Sequence, residues 1–313
     1  MVASGALPTL SVVIPSFNQR DFLEEAIRSV LAQDVDIELL VLDGGSTDGS
    51  DEVIKRYATD IAYWRSAPDE GQAAAIAEGF VRATGEVLAW LNSDDLFYRG
   101  AVRPMLEAFR DHPEAGWAVG HAGTVDERSQ HLLHRPTSPF TPDDVHNLHL
   151  YLPQESTFFR RSLYEGVGGV DPDLHYAMDY DLWLKFARVG PPVLVDAYIG
   201  CFRVVRGQKS ADIAAYQAEE AEVKQRYDGH FDVYGPLRRT CRLLKMRGTR
   251  LARRVRTDGA SGVVRQLRRV WRGEQISPGS DRATVLSFTV AVGLAAALVV
   301  STGRSLRRLR WCR

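Results

Sequence analysis

Short apolar runs rich in β-branched residues alternate with amphipathic helical stripes through the first hundred residues, and this alternation constrains the fold most. The apolar runs lie at 10–15, 37–42, 61–65 and 87–91. The helical stripes lie at 21–33, 51–57, 72–83 and 102–109. Strands that alternate with helices form βαβ units, so the sequence predicts an α/β fold whose sheet is mostly parallel and flanked by helices.

Acidic residues follow three of these predicted strands. Asp43 precedes a glycine-rich loop, Asp69 comes after the third strand, and the fourth runs into Asn92-Ser93-Asp94-Asp95. Taken alone, this last segment favours a turn or a helix start over a metal site. Parallel strands bring their carboxyl ends to one edge, where open α/β sheets bind ligands. Carboxylates there suit Mg²⁺ or Mn²⁺ together with substrate phosphates, so we predict a nucleotide–metal site.

Other phosphate and cation motifs are absent from the sequence. The glycine-rich loop 44–50 contains neither a GxxxxGK[ST] phosphate loop nor a GxGxxG dinucleotide fingerprint. It does not follow the Ca²⁺-binding loop pattern either, because Gly45 and Thr47 occupy positions where acids are needed.

The pattern becomes less regular after Trp117. We expect strands at 117–125 and 131–134 to pair around a turn, a short helix at 141–148 and a strand at 156–159. A helix is predicted at 179–189, with Trp183 in the core, then a strand at 193–205 and a helix at 211–227. We place a boundary near Pro236.

The C-terminal part is strongly basic. From Pro236 onward there are 19 Lys and Arg residues against 3 acids, although the whole chain has a net charge of -1. Apolar stripes among these arginines predict basic amphipathic helices, which suit an anionic membrane surface. Ordinary solvated helices that pack on the preceding domain are the alternative.

An uncharged segment, Ala283–Gly303, lies within this tail. As a helix it would be about 32 Å long, enough to span a bilayer. The arginines that follow it would lie on the outer face if the preceding domain were cytosolic, so an interfacial or re-entrant segment is the alternative. The apolar segment argues against nucleic acid as the partner of the tail.

The chain shows no sign of secretion. Residues 1–8 lack the basic start and apolar run expected of a signal peptide, and the three cysteines are far apart, as expected in a reducing cytosol. We therefore predict a cytoplasmic domain attached to the inner face of the cell membrane.

Four segments in order resemble glycosyltransferase family 2. They are Pro15-Ser16-Phe17-Asn18, Asp43 to Ser50, Asp69-Glu70-Gly71-Gln72 and Trp90 to Asp95, and the resemblance continues through Met178 to Trp183. It implies a Rossmann-like glycosyltransferase A-type fold and an inverting transfer from a nucleotide-diphospho sugar. Residues 1–235 would be the catalytic domain, with a nucleotide-sugar half at about 9–115 and an acceptor half at about 116–235. Residues 236–313 would be the basic helical tail.

The resemblance also implies roles for individual residues. Asp95 would ligate the divalent metal, Mg²⁺ or Mn²⁺, and Asp179 would be the general base, a role compatible with that of a helix cap. The donor site would comprise Pro15, Ser16, Phe17, Asp43, Asp69, Gln72, Asp94 and Arg203. Within it, Asp43 would contact the base and Asp94 the ribose.

Two positions depart from the family pattern. Ala77 stands where many relatives carry Asn, and Val205 where many carry a His near the metal. Arg203 or Arg206 is expected to supply charge there instead, with Lys209 close by. We expect the enzyme to transfer sugar to a glycan or lipid-linked acceptor in cell-surface polysaccharide or glycoconjugate synthesis. A non-catalytic, membrane-associated protein that binds nucleotide sugar or glycan is the alternative, and a sugar-nucleotide pyrophosphorylase is disfavoured because Pro15 to Arg20 lacks a glycine-rich triphosphate loop.

Overall fold

The computed structural model describes residues 5–147, 152–228 and 230. The strands are β1 Leu10–Ser16, β2 Ile37–Asp43, β3 Tyr63–Ser66, β4 Val87–Trp90, β5 Leu96–Phe97, β6 Trp117–Val125, β7 His131–Arg135, β8 Thr157–Arg160 and β9 Val193–Arg203. The helices are α1 Arg20–Leu31, α2 Ser50–Arg56, α3 Gln72–Arg82, α4 Val102–Asp111, α5 Pro142–Asn147, α6 Arg161–Gly166, α7 Met178–Val189 and α8 Ile213–Arg226.

The strands of the described residues form one sheet in the order β3-β2-β1-β4-β8-β6-β9-β5, with β7 beside β6. The strands β1 to β4 are parallel, as the sequence predicts. Beyond β4 the sheet is mixed: β8 is antiparallel to both of its neighbours, while β6 and β9 are parallel. The predicted α/β fold is therefore confirmed, and its parallel part is concentrated in the first half.

The register of the parallel strands aligns their carboxyl ends. Ser16 pairs with Asp43, and Asp43 pairs with Ser66. The loops after β1, β2 and β3 therefore leave the sheet side by side. Gly45 follows β2 with a positive φ of 81°, and a Cβ added to it would lie 2.9 Å from the backbone nitrogen of Pro68. This close approach presses the glycine-rich loop against the loop that carries Asp69.

Helices cover both faces of the sheet. Alternate residues of β1 and β4 pack against α1 and α4 on one face and against α3 and α7 on the other. On the α7 side, the Trp183 ring stacks on Trp90 at 5.6 Å and on Trp117 at 6.0 Å between ring centroids. Trp183 is 2% exposed, so its predicted core position is confirmed. This aromatic stack joins the helix that carries Asp179 to the strand that leads to Asp94 and Asp95.

The predicted tail at 236–313, with its candidate membrane segment at 283–303, lies outside the described residues, and the domain boundary stays a prediction. None of the helices in the described ranges combines the length and the apolar character needed to cross a bilayer.

Candidate active site

A cavity of about 720 Å³ opens at the carboxyl edge of the parallel strands. Residues from both halves of the described chain line it. It contains eight of the ten predicted site residues: Pro15, Ser16, Phe17, Asp69, Gln72, Asp94, Asp95 and Asp179. The two that do not line it are Asp43 and Arg203. The convergence predicted from the strand ends therefore holds for most of the set.

Asp43 is buried beneath the cavity rather than lining it. Its carboxylate accepts hydrogen bonds from the Ser46 backbone at 3.0 Å and from the Ser66 hydroxyl at 2.6 Å. These bonds connect the ends of β2 and β3, so Asp43 fixes the floor of the site. The neighbouring Gly44 lines the cavity, whereas Asp43 does not. The contact of Asp43 with the nucleotide base stays a prediction.

Asp69 lines the cavity but is held by its own surroundings. One oxygen accepts from the Gly71 backbone at 2.9 Å, and the other pairs with Arg65 at 3.0 Å. Arg65 also pairs with Glu78 at 2.8 Å and donates to the Asp43 carbonyl at 2.9 Å. This network fixes the loop after β3 at the start of α3.

Asp95 is 1% exposed and lies at the inner end of the cavity. Its Oδ1 accepts from the Arg203 backbone N–H at 2.8 Å, and its Oδ2 accepts from Asn92 at 3.2 Å. Burial and the charges of Asp94 and Glu155 raise the pKa of Asp95 well above its usual range. Burial also raises the pKa of Asp94. A cation would relieve this repulsion between acids.

Arg203 lies behind these acids, not in the cavity where we expected it. Its side chain is fully buried, and its guanidinium donates to the Asp94 carbonyl at 2.7 Å and to Glu25 at 2.7 Å. Further donations go to Ser129 and to the Asp126 carbonyl. Because the guanidinium is engaged in this way, Arg203 positions Asp94 and Asp95 and does not face a ligand.

Glu155 is an acid of the site that the sequence reasoning missed. It is 1% exposed, lines the cavity, and its Oε1 has no hydrogen-bond partner among the described residues. Burial raises its pKa. Gly200 of β9 leaves room for it, because a Cβ there would lie 2.3 Å from the Glu155 carbonyl oxygen. Its position directly before β8 in the predicted acceptor half was the one available signal.

Asp179 lies in the first turn of α7 and lines the same cavity from the predicted acceptor half. Its carboxylate accepts from the Tyr180 backbone at 2.8 Å, so it also serves the helix start. Burial raises the pKa of Asp179 to about 6. Such a carboxylate is still ionised at neutral pH, and it is a stronger base than an ordinary one.

The carboxylates fit a divalent cation that completes its shell with ligand oxygens. The described residues contain no group of three acid, His or Cys side chains arranged around one point. Mg²⁺ usually takes only one or two protein carboxylates together with phosphates and water. Asp95 suits this role, because each carboxylate oxygen keeps acceptor capacity beyond its one hydrogen bond.

Comparison with known proteins identifies the family. The sequence matches the model of glycosyl transferase family 2 over residues 11–168. The chain belongs to this family. The match covers nearly all of β1, the strands β2 to β4, the acids that follow them and Glu155.

Two curated relatives are uncharacterized glycosyltransferases. An uncharacterized glycosyltransferase of Mycobacterium tuberculosis is 32% identical over 60% of this chain and 72% of its own length. One from Rickettsia typhi is 28% identical over 69% of this chain and 70% of its own. The chain is therefore a family 2 glycosyltransferase in sequence as well as in its strand-end motifs.

Two solved structures share the fold. S. aureus TarS in complex with UDP-GlcNAc aligns with a TM-score of 0.56 at 16% identity, covering 72% of this chain and 68% of TarS. The mannosyltransferase PcManGT from Pyrobaculum calidifontis, in complex with GDP-Man and Mn²⁺, aligns with a TM-score of 0.54 at 17% identity, covering 95% and 82%. The predicted glycosyltransferase A-type fold is thereby confirmed.

The two departures from the family pattern lie outside the cavity lining. Neither Ala77 nor Val205 is among the lining residues. The cations that do line the cavity are Arg135 of β7 and Lys209 from the segment between β9 and α8. Lys209 therefore provides a positive charge within a few residues of the position where a histidine was expected.

Proposed function

We propose that this family 2 glycosyltransferase transfers a sugar, with inversion, from a nucleotide-diphospho donor to a glycan or lipid-linked acceptor. The observation that carries this proposal is the placement of Asp95 and Asp179 in one cavity, the first from the donor half and the second from the acceptor half. A donor bound between them presents its anomeric carbon to an acceptor on the Asp179 side. PcManGT, which shares the fold and is in complex with GDP-Man and Mn²⁺, supports a nucleotide-diphospho donor and a divalent metal.

Different residues of the cavity would bind different parts of the donor. Phe17 is 62% exposed and lines the cavity, which supports stacking against a nucleotide base, beside the backbone of Pro15 and Ser16. Asp94 lines the same cavity, which supports its role as an acceptor of hydrogen bonds from ribose hydroxyls. The unpartnered oxygen of Glu155 supports a ligand rich in hydroxyl groups deeper in the site.

Asp179 takes the proton of the acceptor hydroxyl as its oxygen bonds to the anomeric carbon. The bond from that carbon to the diphosphate breaks, and its electron pair leaves with the nucleoside diphosphate. Asp95 would hold Mg²⁺ or Mn²⁺, which would supply Lewis-acid stabilisation of the diphosphate charge.

A panel of nucleotide sugars tests this function. The full chain is incubated with UDP-, GDP-, ADP- and CDP-sugars in Mn²⁺ or Mg²⁺, and release of nucleoside diphosphate is measured. One donor is expected to turn over in preference to the rest, and EDTA is expected to abolish the activity. Binding of a nucleotide sugar without turnover under every condition would favour the alternative of a non-catalytic binding protein.

We also propose that the chain acts at the inner face of the cell membrane, through the basic residues from Pro236 onward. A cell-surface polysaccharide or glycoconjugate acceptor would fit this location. Sedimentation of the full chain with vesicles tests the attachment, and anionic vesicles should retain more protein than zwitterionic ones. Equal retention by both would overturn the electrostatic part, and release by alkaline carbonate would overturn a membrane-spanning segment.

A further inference from the structure

A chain of hydrogen bonds along the cavity connects Lys209 to Asp95. The Lys209 ammonium donates to Gln72 Oε1 at 3.0 Å, and Gln72 Nε2 donates to Asn92 Oδ1 at 2.8 Å. Asn92 Nδ2 then donates to Asp95 Oδ2 at 3.2 Å. All four residues line the cavity, so the chain runs along the space where a ligand would lie.

The chemistry of its two ends gives this chain a single direction. An ammonium can only donate hydrogen bonds, and an ionised carboxylate can only accept them. Gln72 must therefore turn its oxygen to Lys209 and its amino group to Asn92. Asn92 must turn its amino group to Asp95. The two side-chain amides therefore connect the two charged groups through hydrogen bonds of fixed direction. A hydrocarbon side chain at either position could not make these bonds.

Lys209 lies close to the place where the bond between the diphosphate and the anomeric carbon would break. Lys209 and Asp179 line the same cavity, and the charge of each influences the pKa of the other. Through Gln72 and Asn92, Lys209 is also tied to Asp95. The bond between the diphosphate and the anomeric carbon must lie between the cation at Asp95 and the base at Asp179.

The arginines close to Lys209 in sequence do not present their side chains to the cavity. The Arg203 guanidinium is buried against Glu25, Ser129 and backbone carbonyls. Arg206 is exposed, and it is absent from the cavity lining. Of the cations between 203 and 209, Lys209 alone lines the cavity.

We propose that Lys209 binds the departing diphosphate, and that Gln72 and Asn92 are positioning residues that hold its ammonium in place. This inference rests on the proposed function, since it assumes a nucleotide-diphospho donor. The ammonium then neutralises the charge that develops on the diphosphate as the glycosidic bond breaks. It acts beside the divalent cation and does not replace it.

Calorimetric titration of the full chain tests the inference. UDP, GDP, ADP and CDP are titrated in Mn²⁺ to find the one that the wild type binds, and its parent nucleoside is then titrated for comparison. Lys209→Met is expected to weaken the diphosphate about 10- to 100-fold, as for the loss of a charge-assisted hydrogen bond, with the nucleoside unchanged. Gln72→Leu is expected to weaken the diphosphate about two- to tenfold in the same selective way.

Arg206→Met is the matched control, because it removes the same charge from the same segment without touching the cavity. It should leave both affinities unchanged. If Lys209→Met binds the diphosphate as the wild type does, or loses nucleoside affinity to the same extent, the inference is overturned while the proposed function stands. A wild type that binds none of the four diphosphates overturns the proposed function, and this inference with it.

Discussion

The backbone N–H of Arg203 donates to Asp95 Oδ1 at 2.8 Å, across 108 residues of sequence. The bond joins the end of β9 to the acidic loop after β4. The Arg203 guanidinium reinforces this junction from behind through the Asp94 carbonyl. The acids that would meet the donor are therefore held by the C-terminal part of the described chain, which also carries the proposed base Asp179.

Replacing Arg203 with Met should destabilise the fold. The substitution removes the hydrogen bonds that the fully buried guanidinium donates to Glu25, Ser129 and two carbonyls. We expect a loss of about 2–4 kcal/mol in the free energy of unfolding, measured with urea. Arg206→Met, in the same segment but exposed, should change it by less than about 0.5 kcal/mol. Equal stability of both variants would contradict the role of Arg203.

Asp95→Asn keeps the shape of the side chain and removes its charge. We expect Mn²⁺ to bind much more weakly in the presence of nucleoside diphosphate, and turnover to fall by about 100-fold or more. Electron paramagnetic resonance of free Mn²⁺ measures the binding. Asp51→Asn, which changes a partly exposed acid of α2 paired with Lys55, serves as the control and should leave both values unchanged. Wild-type Mn²⁺ affinity in Asp95→Asn would exclude Asp95 as the ligand.

Activity should depend on pH through Asp179. Because burial raises the pKa of this carboxyl to about 6, the base is mostly ionised at pH 7 and mostly protonated at pH 5. The value of kcat/KM should therefore fall as pH decreases through about 6, approaching a tenfold loss for each further unit. Initial rates between pH 5 and 8 measure the profile. A profile that stays flat down to pH 5 would contradict the assignment.

Gly200→Ala should disturb Glu155. The new Cβ would lie 2.3 Å from the Glu155 carbonyl oxygen, which belongs to the backbone and cannot rotate away. We expect a loss of about 1–3 kcal/mol in stability, seen as a lower Tm, together with reduced turnover. Gly166→Ala is the matched control, because nothing lies within 4 Å of its added Cβ. A wild-type Tm and turnover in Gly200→Ala would contradict this prediction, because they would show that the backbone around Glu155 can move away from the added Cβ.

The sequence predicted the parallel half of the fold well. The strands β1 and β4 are buried throughout and are therefore mostly apolar in sequence. The acids after β2, β3 and β4 mark the edge where the parallel strands converge. The two-residue strand β5 was missed because Leu96–Phe97 is too short to show a period. Its pairing with β9 depends on a contact between distant segments, which no local pattern records.

The site was predicted less completely than the fold, for a related reason. Motif residues identified Asp94, Asp95 and Asp179, whereas the burial of a charged group depends on what packs around it. Arg203 was expected in the cavity but is fully buried behind it. Glu155 reaches the cavity from a turn of 3-10 helix before β8, a placement that follows from the sheet order and not from its neighbours in sequence.

The most direct test of the central claim compares the wild type with Asp179→Asn, using the preferred donor and a cell-derived glycan or lipid acceptor fraction. Donor affinity is measured by calorimetry, and turnover by release of nucleoside diphosphate. We predict that Asp179→Asn binds the donor within about threefold of the wild type and loses about 10²- to 10⁴-fold in turnover, as for removal of a general base. Normal turnover by this variant would contradict the account.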